Sequence, residues 1–160
     1  MKKAKLILDA CCGGRMFWFN KEHPRALYID IRESPEGHIS QRPNHHVKPD
    51  IIMDFRDLKF PDKTFKLVVF DPPHISSLTE TSIMRKKFGA LNAETWRYDL
   101  GKGFEECWRV LDDYGTLIFK WNEAEISIKE VLKCFKEKPL FGHPTAKHGK
   151  TKWCVFMKIA

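Results

Sequence analysis

No run of the chain approaches the roughly 20 consecutive apolar residues that a membrane-spanning helix requires. The opening Met1-Lys2-Lys3 leads into the strand-like Ala4-Lys5-Leu6-Ile7-Leu8 and not into a signal-peptide core. A cytoplasmic protein without a membrane partner is therefore expected. Cysteine is sparse: the five thiols, Cys11, Cys12, Cys107, Cys134 and Cys154, are odd in number and show no CxxC spacing. That argues against a disulfide framework and a zinc site, and leaves reduced, mostly buried thiols. His45-His46 and the nearby His38 lack a carboxylate or thiolate at ligand spacing, so no metal is expected. Also missing are the Gly-x-x-x-x-Gly-Lys-Ser/Thr phosphate loop and the dinucleotide turn with glycines at its first, third and sixth positions. No repeat, low-complexity tract or linker divides the 160 residues, which predicts one domain spanning 1–160.

Acidic residues are outnumbered: 28 Lys and Arg face 21 Asp and Glu, for a net charge of +7. A field of that sign attracts polyanions by releasing their counterions, which makes nucleic acid the favoured partner. At 42% hydrophobic and 31% charged residues the composition is that of a folded globular chain.

Apolar, partly β-branched runs at residues 5–10, 26–31, 51–55, 66–70, 115–121 and 152–158 predict strands, several too continuously apolar to have a solvent-facing side. Helical spacing occupies 16–22, 93–111 and 126–136. The alternation predicts a mainly parallel α/β sheet. Asp112-Asp113-Tyr114-Gly115 reads as a turn feeding a strand, and Pro139 and Gly142-His143-Pro144 bracket a short penultimate strand that pairs antiparallel with the last. Segments 32–50 and 75–92 are too long and polar to be simple connections, which marks them as functional or disordered loops.

Leu6-Ile7-Leu8-Asp9-Ala10-Cys11-Cys12-Gly13-Gly14 is a buried strand breaking into a glycine pair. Such a turn lets backbone approach a ligand in the crevice beyond the strand's carboxyl end. The second strand closes on Asp30-Ile31, where a carboxylate suits the two hydroxyls of a ribose, and the third on Asp54-Phe55, where an acid and a ring suit an adenine. Asp9, Ala10, Cys11, Gly13, Gly14, Asp30, Ile31, Asp54 and Phe55 are thus the candidate cofactor contacts.

This arrangement resembles the class I methyltransferases, whose first motif runs acidic-x-x-x-Gly-x-Gly; Asp9, Gly13 and Arg15 stand at those places. Arg15 departs from the pattern, and Gly14 is expected to supply the missing flexibility. The stretch from Asp54 to Phe65 is similar to the same family's loop between third and fourth strands. The resemblance implies a Rossmann-like, seven-stranded, mostly parallel sheet in the order 3-2-1-4-5-7-6 with a C-terminal antiparallel hairpin, and S-adenosyl-L-methionine as cofactor.

Just after the buried strand 66–70 comes Asp71-Pro72-Pro73-His74. It resembles the Asp-Pro-Pro-aromatic tetrapeptide of the amino-methyltransferases of nucleic-acid bases, small phage-like DNA adenine methylases among them. Two prolines fix the backbone around the carboxylate. The resemblance implies that the Asp71 side chain and the Pro72 carbonyl accept the N–H bonds of an exocyclic amine, aim its lone pair at the methyl group, and place Asp71 beside the cofactor as well. His74 stands where the family carries the aromatic that stacks on the target base. The implied reaction is methylation of adenine N6 in DNA, with RNA amines as the alternative. A non-catalytic nucleic-acid or partner-binding module on a degenerate fold is the contrasting reading, favoured by Arg15 and His74. Arg85, Lys86 and Lys87 in the long loop, Lys120 at a strand end, and Lys147 and Lys150 in the final hairpin are the candidate substrate contacts. A chain this short has little space for a separate recognition domain, so sequence specificity is expected to be loose or to be supplied by a homodimer or a partner.

Overall fold

Leu8 and Ala10 in one segment and Val68 and Phe70 in another alternate along the chain and are at most 1% exposed. Each pair lines one face of its strand, and Asp9 and Val69 between them are buried as well, so both faces are covered at the centre of a sheet. The computed structural model describes residues 3–143 and 149–159. Its strands are β1 (Ile7–Asp9), β2 (Ala26–Asp30), β3 (Ile51–Ile52), β4 (Phe65–Phe70), β5 (Leu111–Asn122), β6 (Phe141–Gly142) and β7 (Thr151–Met157), and its helices are α1 (Ile83–Phe88), α2 (Trp96–Val110) and α3 (Ile128–Leu132).

The seven strands lie in the expected order, β3-β2-β1-β4-β5-β7-β6. β1 pairs in parallel with β2 and β4, β2 with β3, and β4 with β5. β7 runs antiparallel to both β5 and β6. The chain moves outward from β1 to β3, then returns to lay β4 against β1. Strand order reverses there, and a crevice opens beyond the carboxyl ends of those two strands.

The large core gathers Leu100, Phe104, Cys107 and Val110 of α2 with Phe119, Phe135 and Phe156. A far smaller cluster of Cys12, Ala26 and Tyr28, flanked by Ile7 and Trp18, serves β1 and β2. Four charged contacts pin the β3–β4 connection to α2. Glu106 accepts from the Leu58 amide at 2.8 Å, and Arg109 donates to the carbonyls of Leu58 and Phe60 at 2.8 Å each. Arg56 reaches Asp99 at 2.9 Å.

Three expectations fail for local reasons. Residues 16–22 form turns, not a helix. Arg15 is left-handed at φ 55°, and the Trp18 indole is drawn toward β1, so a segment too short to hold a helix unaided is pulled out of helical register. The third predicted helix contracts to α3, and the Asp112–Gly115 turn lies inside β5, with Tyr114 at φ 60°. Conversely, the long segment 75–92 carries α1.

Candidate active site

The crevice at the β1/β4 switch point holds a cavity of about 410 Å³. Its floor is the turn after β1 (Cys11 to Gly14) and its far side is the tetrapeptide after β4 (Asp71, Pro72 and His74). Met16, Phe17, Leu78, Met84 and Phe88 make its walls largely apolar.

Asp9 shapes the floor from beneath. Its Oδ1 accepts from the Cys11 amide at 3.3 Å and its Oδ2 from the Trp18 Nε1 at 2.7 Å. Fully buried, it does not line the cavity: burial pushes its carboxyl up to about 7, the Trp18 bond opposes that rise, and the charge of Asp71 adds to it. In this window the folded protein keeps a proton that the unfolded chain, titrating near 3.8, has released. Stability should therefore fall as pH rises from about 4 to 7 and level off above that. A melting temperature several degrees lower at about pH 7.5 than at about pH 5 is expected for the wild type, and a flatter profile for Asp9→Asn. An identical pH dependence in both proteins would contradict the burial argument.

Gly13 takes φ 48° and Arg15 φ 55°, so the flexibility expected of Gly14 is supplied by its two neighbours. A non-glycine residue in that region costs on the order of 1 kcal/mol. Arg15 offsets the strain by donating to the Lys21 carbonyl at 2.6 Å and the Lys48 carbonyl at 2.8 Å and by lying 3.8 Å over the Tyr28 ring. What Gly14 supplies is space: a Cβ there would stand 2.9 Å from His45 Nε2.

At the far wall Asp71 is doubly engaged. Its Oδ1 lies 2.9 Å from His74 Nε2 and its Oδ2 accepts from Lys120 Nζ at 3.2 Å. His74 also packs edge-on against Trp121, with ring centroids 4.8 Å apart. Each carboxylate oxygen has two acceptor positions, so Asp71 keeps capacity for another donor from the cavity. Pro72 is buried in the wall, and Pro73 instead backs onto Gly89 at the end of α1. Lys120 is held between Asp71 and the rings of Phe17 and Trp153, at 5.6 and 5.8 Å.

Other expected contacts lie elsewhere. Asp30 is buried and accepts from the Gly13 amide at 2.8 Å and from the Arg32 amide and Nε at 3.0 and 3.2 Å. Arg32, which lines the cavity, stands in the place expected of Asp30. Ile31 is exposed and lines neither this cavity nor its neighbour. Asp54 is drawn to Arg56 at 2.6 Å, a bond that holds its carboxyl below the usual range, and Phe55 packs on Phe70 in the core. Ala10 is buried, its amide donating to Val69. Arg85 donates to the Leu78 carbonyl, Lys86 is exposed, and Lys150 is exposed and lines neither cavity. Lys87 faces a second groove; Lys147 lies outside the described residues.

The five thiols are free, and burial pushes that of Cys12 up to about 12, so it stays protonated at neutral pH. Sequence reasoning missed Arg32, Phe17 and Met84. Arg32 did leave a signal, since an arginine follows by two residues the acids that close the second and third strands, in Asp30-Ile31-Arg32 and in Asp54-Phe55-Arg56.

No protein-family model matches the chain, and no curated protein matches it. Solved structures do, and with the sheet order they show the class I methyltransferase fold. A Pyrococcus horikoshii protein is similar at 20% identity and TM-score 0.57, covering all of this chain and 84% of its own. An rRNA methylase from Streptococcus thermophilus matches at 12% identity and TM-score 0.57, over 100% of this chain and 91% of the other. A SAM-dependent methyltransferase from Leishmania major matches at 15% identity and TM-score 0.55, over 96% of this chain, which spans only 65% of that protein.

Proposed function

We propose that this chain is an S-adenosylmethionine-dependent methyltransferase acting on an exocyclic amine of a nucleic-acid base, with adenine N6 of DNA as the expected atom. The observation that carries the reading is the meeting of the Cys11–Gly14 turn and Asp71-Pro72-Pro73-His74 on one cavity of about 410 Å³. That volume and its apolar walls suit a nucleoside cofactor. The neighbouring folds that act with SAM support the same cofactor.

Bound S-adenosylmethionine would supply an electrophilic methyl group. The chain's own contribution is alignment: Asp71 and the Pro72 carbonyl accept the amine N–H bonds and orient its lone pair, and alignment alone supplies much of such a rate. Lys120 and His74 hold the Asp71 carboxylate in one orientation while it does so. A duplex target would have to be flipped out at a cost of a few kcal/mol, so a single strand is the easier acceptor. RNA is the second reading, favoured by the likeness to the Streptococcus rRNA methylase.

The test is transfer of labelled methyl from S-adenosylmethionine to separate pools of duplex DNA, single-stranded DNA and RNA, followed by nucleoside mass analysis. N6-methyladenine in a DNA pool is the expected result. Label only in RNA would move the substrate to the second reading. A protein that neither binds the cofactor nor labels any pool would be the non-catalytic module.

A further inference from the structure

Behind the Gly13-Gly14 turn lies a second groove, of about 840 Å³, which shares Gly13, Gly14 and Met16 with the cavity described above. Lys5, Lys21, Arg42, Lys48 and Lys87 line it. Among the described residues none of these five has an ion-pair partner: the acids of the groove are Glu22 and Asp50, and Asp50 is already engaged by Arg15 and by the Tyr28 amide. Arg15 also organises the rim. One guanidinium nitrogen binds the Lys21 carbonyl and the other the Lys48 carbonyl, which ties two lysine-bearing segments from either side of β2 to one anchor.

His45 stands on the groove wall. His45 has neither ring nitrogen hydrogen-bonded among the described residues. Burial lowers its basicity, and of the groove's cations Lys87 lowers it further. An anion brought among these groups would relieve that repulsion, whereas a cation would add to it.

We propose that this groove holds the phosphodiester backbone of a nucleic-acid strand, leading it along the outer side of the wall that bounds the methyl-transfer cavity. The proposal rests on the nucleic-acid part of the functional reading and assigns the partner's charge to residues other than Arg85, Lys86 and Lys150. A single strand is taken as the occupant because the functional reading makes it the easier acceptor. Unpaired cations converging on one groove are the electrostatic footprint of such a partner.

The experiment is fluorescence anisotropy of labelled single-stranded DNA and RNA oligonucleotides with the full chain across a salt series. Three proteins are compared: wild type, Lys21→Gln/Arg42→Gln/Lys48→Gln, and Lys129→Gln/Lys133→Gln/Lys136→Gln on the α3 side as control. Melting curves show that each is folded. Single-strand binding should lose about 0.7 in log–log salt slope per phosphate contact removed, so the groove variant should fall by about 2 in slope and at least tenfold in affinity. The control should keep the wild-type slope.

Unchanged binding by the groove variant, an equal loss in the control, or wild-type protein that binds neither strand at low salt would overturn the proposal. Equally tight binding of polyglutamate would overturn the nucleic-acid assignment. None of these readouts needs methyl transfer. A wild-type protein that binds strands through the groove yet labels no pool would sink the base-methylating reading and leave the groove standing.

Discussion

Asp71→Ala is expected to lower methyl transfer by roughly 10²–10³-fold, the size of effect seen when one preorganised polar group is removed from a reacting centre. Cofactor affinity should change by less than about threefold, since the loss falls on a step after binding. The contrast follows from where Asp71 sits. It closes the cavity at the β4 side, 2.9 Å from His74 and 3.2 Å from Lys120, while the turn from Cys11 to Gly14 approaches from β1. Removing the carboxylate frees Lys120 and His74 to face the incoming amine as donors, where acceptors are needed. Asp71→Asn tests the same point with the shape preserved: its amide can accept one bond but must turn its NH₂ toward either His74 or Lys120. Equilibrium binding of S-adenosylmethionine and single-turnover methyl transfer separate the two effects. Full activity in Asp71→Ala would refute the alignment mechanism.

The central strands were legible because their continuous apolar runs are covered on both faces, as the pattern implies: Leu8, Ala10, Val68, Val69 and Phe70 are all buried. The strand order came from the family resemblance and could not have come from periodicity, which is silent on which strand lies beside which. Failures cluster where one side chain overrides local preference. Residues 16–22 carry helical spacing, yet the Trp18 indole goes to the buried Asp9 and the chain turns to deliver it.

The acids show a different limit. A carboxylate at a strand end reads the same whether it meets a ligand, a backbone amide or an arginine. Asp9, Asp30 and Asp54 look alike in the sequence and have different surroundings: Asp9 sits beneath the turn, Asp30 is shared between Gly13 and Arg32, and Asp54 is tied to Arg56 and through it to Asp99 on α2. Phe55, next to Asp54, is carried into the core by the same anchoring. The tetrapeptide was the clearer signal because its two prolines leave the backbone few alternatives.

Asp30 and Arg32 should part company when each is removed. Asp30→Ala leaves the Gly13 amide and the Arg32 guanidinium without their buried acceptor, which should cost about 2–3 kcal/mol of stability. If a cofactor ribose binds Asp30, the same change should weaken S-adenosylmethionine affinity at least tenfold, about 1.4 kcal/mol. Arg32→Ala runs the other way. The guanidinium occupies one oxygen of Asp30 and also donates to the Lys86 and Lys87 carbonyls at 3.2 and 3.4 Å, so it joins the end of β2 to the end of α1 across the cavity rim. A ribose hydroxyl must compete with it. Without Arg32 the carboxylate lacks a donor that the cofactor can replace, and several-fold tighter cofactor binding is expected alongside some loss of stability. Calorimetric titration of both variants decides the matter. Weaker binding in both would make Arg32 a cofactor contact in its own right, and unchanged binding in Asp30→Ala would remove the ribose role from Asp30 and leave it as the support of the Gly13 turn.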